Sequence, residues 1–495
     1  TGAIALANGS NLVIDTGDAS GGNITLGEIA GTSVETVTLD AGTGTTSVGV
    51  IGNSTEIGVL NIESSDNGAI TLNGVITTDG AVTIDGPVTL GADITVTTAD
   101  DAITFNHTIN GTQSLTLESG TAAITLDGVI GGDAILTGLS VNSTDGSTGT
   151  IEITDIGDSA AVGVNTGTIS IGNANTTTLT LDGTTYKTDG VTIYEAAAGN
   201  TILLTGASPT VTTGGGNLSF STGNIVLSTA GTTTFTTGTG TGGNITVAGT
   251  IDGTNSENEA LVIQSGSGNV QLQGAIGATQ PLTTITINSS GAGTVEVTNI
   301  GGGSAGATGA TAVGNTSTGT LTLDGTVYNT GDTQTYTAAT GGGNIDITGA
   351  ATFTTSADNI AFNTSGVDLA ANVAITTGTG TDAGAVTFGG ALEAANAGTQ
   401  TLTIDSGAGN VTFSGAIGLT NALGGLNVNA TAGDGAGVIT FSEDIGDASA
   451  GVTGVTAVGN SSTAQIVFAE DTYTFDGGAT TFTATSGDNF DLTKG

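Results

Sequence analysis

Short runs in which apolar and polar residues alternate recur from one end of this sequence to the other, each closed by a turn. Val82-Thr83-Ile84, Val88-Thr89-Leu90 and Ile94-Thr95-Val96 follow one another closely. A period of two marks a strand with one face buried. Thr fills most of the polar positions, and its β-branched side chain suits a pleated surface. The punctuation is Asx-Gly: Asn73-Gly74, Asp85-Gly86, Asp127-Gly128, Asp182-Gly183, Asp252-Gly253 and Asp324-Gly325. Such pairs supply the positive φ of a tight corner. Strands of about four to six residues, each followed by a turn, predict an all-β fold of many short elements. Helix signals are nearly absent.

Long repeats lie on top of this rhythm. Leu115-Thr116-Leu117-Glu118-Ser119-Gly120, followed by Ile124-Thr125-Leu126-Asp127-Gly128, returns as Leu261-Val262-Ile263-Gln264-Ser265-Gly266 and Val270-Gln271-Leu272-Gln273-Gly274. It returns again as Leu402-Thr403-Ile404-Asp405-Ser406-Gly407 and Val411-Thr412-Phe413-Ser414-Gly415. The offsets are 146 residues from Leu115 to Leu261 and 141 from Leu261 to Leu402. A second anchor, Ile151 to Gly157, matches Val295 to Gly301 and Ile439 to Gly446. A third, Leu179 to Tyr186, matches Leu321 to Tyr328, with a weaker copy from Ile466 to Tyr473. Three anchors in one order establish the repeat. They divide the chain into 1–114 with partial repeats, blocks at 115–260 and 261–401, and a truncated third block at 402–495, all expected to form one continuous rod.

Within each block, self-similar pieces recur at a spacing of roughly 20 residues, a length suited to one solenoid coil. A single coil cannot keep a narrow aliphatic stripe dry, and stacking on its neighbours completes the core. The expected architecture is an elongated parallel β-helix, or β-solenoid. At roughly 20 residues per coil and about 4.8 Å between coils, the 495 residues would form about 25 coils and a rod on the order of 100 Å long. Tandem β-sandwiches are the rival arrangement, but they want longer strands and larger aromatic cores than 12 Phe, 5 Tyr and no Trp supply.

The charge balance narrows the partners. There are 44 acidic residues against Lys187 and Lys494, with no Arg, for a formal charge of −42. Nucleic acid is excluded, because its binding depends on cations that neutralise phosphates. An anionic membrane surface is excluded on the same grounds. The charged fraction is 9% and the mean hydropathy +0.24, which argues for a folded chain and not an acidic disordered one. There is no Cys, so cysteine usage is silent on compartment. No apolar run approaches the ~18 residues of a membrane span. The first residue is Thr1, which leads us to expect a processed form or an excised fragment.

The Gly/Thr/Asn-rich runs of the form G-x-I/V-T-L/F-x-G, with no Cys or Arg, resemble the β-strand-repeat surface proteins of bacteria. That group includes filamentous-haemagglutinin-like adhesins and the passenger domains of autotransporters. The resemblance covers nearly the whole chain and is compositional. It implies a right-handed parallel β-helix projecting from a cell, and it carries no functional residue to transfer.

Candidate chemistry is sparse. His107 is the only histidine, and its context, Asn106-His107-Thr108, offers neither nucleophile nor orienting acid. Solenoid enzymes that act on acidic polysaccharides need cations to hold substrate. No enzymatic activity is expected. Acids recur at equivalent positions, Glu118 with Asp405 and Asp182 with Asp324, and stacked acids would be relieved by Ca²⁺ between coils. These four are the candidate metal ligands, although no Ca²⁺-roll or EF-hand motif is present. No other cofactor is expected.

The equivalent tyrosines Tyr186 and Tyr328, and Tyr194 and Tyr336, are expected to fill wider coils. Sequons such as Asn23-Ile24-Thr25, Asn142-Ser143-Thr144 and Asn244-Ile245-Thr246 arise readily in an Asn/Thr-rich chain. Thr-x-Thr runs such as Thr284-Ile285-Thr286 and Thr481-Phe482-Thr483 raise an ice-binding surface, but they do not repeat on one face at coil spacing in the sequence.

Strand-like text begins at Ala3-Ile4-Ala5-Leu6 and continues through Thr481-Phe482-Thr483, with no obvious cap to blunt the edges of the stack. The sequence therefore points to an extracellular structural protein at the cell surface. Its partners would be other copies joined head to tail into a filament or stalk. The alternative is the shaft of an adhesin that meets cell-surface glycans or proteins.

Overall fold

The computed structural model describes residues 3–492 apart from 18–20, 65–67, 145, 147, 166, 239, 241, 255–257, 289–292, 432–436 and 486–489. Among the described residues there is no helix. Parallel strands stack in coils, a β-solenoid of about 19 turns. The chain divides into two compact units, Thr1–Gly238 with Gly242–Gly249, and Thr239–Thr241 with Thr250–Gly495.

In the first unit a representative coil consists of Val82–Asp85, Val88–Leu90 and Ile94–Thr98. The next consists of Ile103–Phe105, Ile109–Gly111 and Ser114–Glu118. Each strand pairs in parallel register with its counterpart one coil on, Val82 with Ile103, Val88 with Ile109 and Ile94 with Leu115. Because the register is kept, identical faces stack. One interior column runs Val37, Leu60, Val82, Ile103, Ile124, Ile151, Leu179, Ile202 and Ile225, every member buried. Each aliphatic side chain is thus covered above and below by another, which is what no single coil can provide.

The second unit is built the same way but fills one column with aromatics. Tyr336, Phe362, Phe388, Phe413, Phe441 and Phe468 pair in register. Their ring centroids lie 4.9–5.6 Å apart with 3–17° between planes. That spacing exceeds the inter-strand distance of about 4.8 Å, so the rings are offset as their quadrupoles prefer. Tyr186, Tyr194, Tyr328 and Tyr336 are all fully buried, as expected of residues that fill the interior.

Two expectations change. The coils are longer than 20 residues, which is why there are fewer than 25. Val82 to Ile103 is a coil of 21 residues, whereas Ile151 to Leu179 is one of 28. The strands stay short and in register, and the corner loops absorb the difference.

The long repeat, in turn, is not a whole number of coils. In the second unit the column headed by Leu261 passes through Ile285, Thr311, Gln334, Ile360 and Val386 to Val411, six coils on. Yet the repeat equivalent of Val411 is Val270, which stands in another column with Val295, Leu321 and Ile345. The 141-residue repeat is therefore six coils less one strand, and it moves equivalent residues onto a different face.

Candidate functional site

The outer surface carries the ionisable groups, and register decides which of them meet. In the first unit Asp40, Glu63 and Asp85 pair strand to strand. His107 in the following coil sets Nε2 3.1 Å from Asp85 Oδ1, both side chains about half exposed. Two residues back along the same strands and on the same face, Thr38, Asn61, Thr83, Thr104 and Thr125 form a polar column. Thr residues thus do repeat at coil spacing, contrary to the sequence reading. The adjacent carboxylates nevertheless interrupt that face as a hydroxyl array.

Lys187 is the only Lys or Arg among the described residues, and Lys494 lies outside them. Asp158 is held below the usual carboxylate range by the backbone N–H groups of Ala161 and Ala160, with the Lys187 charge adding to this.

In the second unit Asp346, Asp368 and Glu393 stand in register on three consecutive strands. Asn344 Nδ2 donates to both Asp346 and Asp368. Burial pushes the Asp346 carboxyl above its ordinary value of 3.8; the Asn344 hydrogen bond opposes this and the Asp368 charge adds to it. Glu152 in the first unit is raised likewise, by burial and then by the charges of Asp182 and Asp127.

The four candidate calcium ligands are not neighbours. Glu118 ends the strand Ser114–Glu118, Asp182 and Asp324 each follow a strand ending in Leu, and Asp405 lies within Thr401–Ser406. Repeat equivalents sit about six coils apart, so Glu118 does not stack on Asp405, nor Asp182 on Asp324. The acids that do stack are those one coil apart, such as Asp346 and Asp368. Glu118 Oε2 and Asp182 Oδ1 are buried without a hydrogen-bond partner. Among the described residues no group of three or more His, Cys, Asp or Glu side chains comes together.

Buried polar ties between coils were not read from the sequence. Asn142 Oδ1 accepts from the Ser119 backbone N–H at 2.8 Å, and Asn429 does the same for Ser406 at 2.8 Å. One coil further on, Asn173 Nδ2 donates to the Asn142 carbonyl at 2.6 Å and Asn460 Nδ2 to the Asn429 carbonyl at 2.7 Å. Asn173, Asn315 and Asn460 each turn their loop the same way. Each backbone N–H donates to the Oγ1 of Thr176, Thr318 or Thr463, and each Oδ1 accepts from the N–H two residues on. The signal was present as Gly-Asn-x-Asn/Ser-Thr at 172–176, 314–318 and 459–463. The Asn142 sequon is thereby buried, whereas Asn23 and Asn244 are exposed.

The corners after Ile130, Ile276 and Ile417 share a second device. Gly131, Gly277 and Gly418 adopt φ of 74°, 65° and 64°. A Cβ at these positions would lie 1.9–2.2 Å from the carbonyl oxygen of Gly163, Gly306 or Gly451 in the next coil. Only glycine lets these two backbones pass. Beyond the third corner, loops from successive coils enclose a cleft of about 650 Å³ at Leu419, Thr420, Ser449, Thr453 and Asp476.

Among the described residues no helix is long and apolar enough to cross a membrane. Comparison with protein families, with curated proteins and with solved structures finds no match for this chain.

Proposed function

We propose that this chain is a non-catalytic structural protein of the cell exterior, a solenoid whose copies join end to end into a surface filament or stalk. The observation that carries the reading is the unbroken register within each unit. Every coil passes its backbone hydrogen bonds to the next, so a strand at the edge of a stack offers N–H and C=O groups that one more parallel coil would pair. The strand Phe490–Leu492 pairs on one side with Gln465–Phe468 and leaves Phe490 and Leu492 more than half exposed. At Leu12–Asp15, Val13 is 67% exposed. A coil contributed by another copy would cover such side chains, and contacts of this heterologous kind propagate as open filaments. The resemblance to bacterial β-strand-repeat surface proteins supports placing the chain outside the cell.

A charge of −42 opposes association at long range. Salt at physiological strength screens it beyond about 8 Å, within which strand pairing acts. Divalent cations, Ca²⁺ among them, would further neutralise the acid columns. Light scattering across a salt and Ca²⁺ titration tests this. Scattering that grows with either supports the filament, and a constant monomer signal at high protein concentration removes it. A second reading, the shaft of an adhesin, is favoured by the cleft at Leu419, which a plain spacer does not need.

A further inference from the structure

We propose that the cleft at Leu419 in the second unit is a binding site for a neutral saccharide. The cleft is a local departure from the repeat. Leu419 stands where the first and second copies have Gly132 and Ala278, directly after the same Ile-Gly corner. The three corners are alike in their glycine crossings, so the backbone is held constant while one side chain grows from hydrogen to methyl to isobutyl. Leu419 is 41% exposed. The corner itself gains nothing from such a side chain, whereas a ligand lying against it would.

The chemistry of the walls selects the class of ligand. Ala397, Ala422 and Ala450 supply methyl surface beside Leu419. Thr420 and Ser449 present exposed hydroxyls. Thr453 Oγ1 donates to the Leu423 carbonyl at 3.3 Å, which leaves its lone pairs to accept. Asp476 adds a carboxylate acceptor. Alternating apolar patches and hydroxyl partners match a pyranose, whose C–H faces and hydroxyl edges alternate in the same way. No Lys or Arg borders the cleft, and Asp476 and the net charge repel anions, so uronates, sulfated sugars and phosphates are rejected. The volume falls within the ~300–1,000 Å³ of small-molecule sites. The proposal gives the adhesin reading a ligand class and rests on that reading; it does not require copies to join end to end.

The test is saturation-transfer NMR of the full chain with the neutral methyl glycosides of glucose, galactose, mannose and N-acetylglucosamine, each at millimolar concentration. At least one glycoside should show transfer, and its affinity should fall roughly tenfold in Leu419→Ala and in Asp476→Asn, with Tm unchanged. Should Leu419→Ala lower Tm, Ser449→Ala supplies a variant on the rim whose effect is read instead. No transfer from any of the four glycosides overturns the proposal, as does transfer that all these variants leave intact. Neither result bears on filament formation, which scattering reads separately.

Discussion

Asn142 closes the turn at Ser119 in the preceding coil: its Oδ1 accepts the Ser119 N–H at 2.8 Å, and its Nδ2 donates to Ser119 Oγ at 3.0 Å. The same pair recurs as Asn429 and Ser406, at 2.8 and 2.9 Å. Both asparagines have positive φ, 43° and 46°, which Asn tolerates better than most residues. Replacing Asn429 by Ala should cost about 1–3 kcal/mol, because it strands a buried N–H and also strains the backbone. Asn429→Gly relieves the φ and loses only the hydrogen bonds, so it should cost less. Denaturant unfolding of the two variants checks the order.

The aromatic column makes the second unit sensitive to truncation. Phe413 lies between Phe388 and Phe441, 5.3 and 5.2 Å from their ring centroids. Phe413→Ala should destabilise by about 3–5 kcal/mol, since a stacked column cannot collapse into the gap. Phe413→Leu should cost distinctly less. Thermal unfolding by circular dichroism reads both.

Gly418→Ala should damage the fold more than most surface changes. Its Cβ would sit 2.2 Å from the Gly451 carbonyl oxygen of the next coil, at a φ of 64°. Backbone on both sides leaves nothing flexible to yield. The neighbouring Gly341, whose Cβ would meet nothing within 4 Å, is the control. Gly341→Ala should leave Tm nearly unchanged, and Gly418→Ala should lower it by several degrees or prevent folding. Hydrogen exchange should place the loosening in the coils around 418 and 451.

Acid should act in opposite senses on two carboxylates. Glu35 accepts from the Thr32 side chain and from the Thr32 and Gly9 N–H groups, which lowers its pKa from 4.5 to about 2. Its charged form stabilises the fold above pH 4.5, and that contribution is lost as pH falls towards 2. Asp346 is raised above its ordinary 3.8, so the fold prefers it protonated. Its ionisation weakens the fold at neutral pH, and the penalty fades as pH drops through its raised pKa. Glu35→Gln should therefore lower Tm at pH 7, with the difference closing in strong acid. Asp346→Asn should raise Tm at pH 7 and lose its advantage below pH 3.8. Melting curves across pH decide both.

The fold class was legible because alternation and Asx-Gly corners act locally: Val82-Thr83-Ile84 announces its strand without reference to the rest of the chain. Coil length was not, since it depends on loops such as 157–163, whose path is set by contacts with the next coil. The stacking of acids also escaped the sequence. Asp346 and Asp368 meet through register across a coil of 22 residues, whereas the visible repeat of 141–146 residues links positions that never touch. The buried role of Asn142 was hidden by its appearance as a sequon in an Asn/Thr-rich chain. The Leu419 cleft was hidden because its meaning lies in a difference from Gly132 and Ala278, visible only once the three corners are seen to be alike.

Electron microscopy of the purified full chain at physiological salt, with and without Ca²⁺, tests the central claim most directly. The account predicts long fibres of uniform width, longer or more numerous when Ca²⁺ is added. Separate, unjoined particles at every protein and salt concentration would contradict end-to-end assembly and leave the adhesin shaft as the reading to pursue.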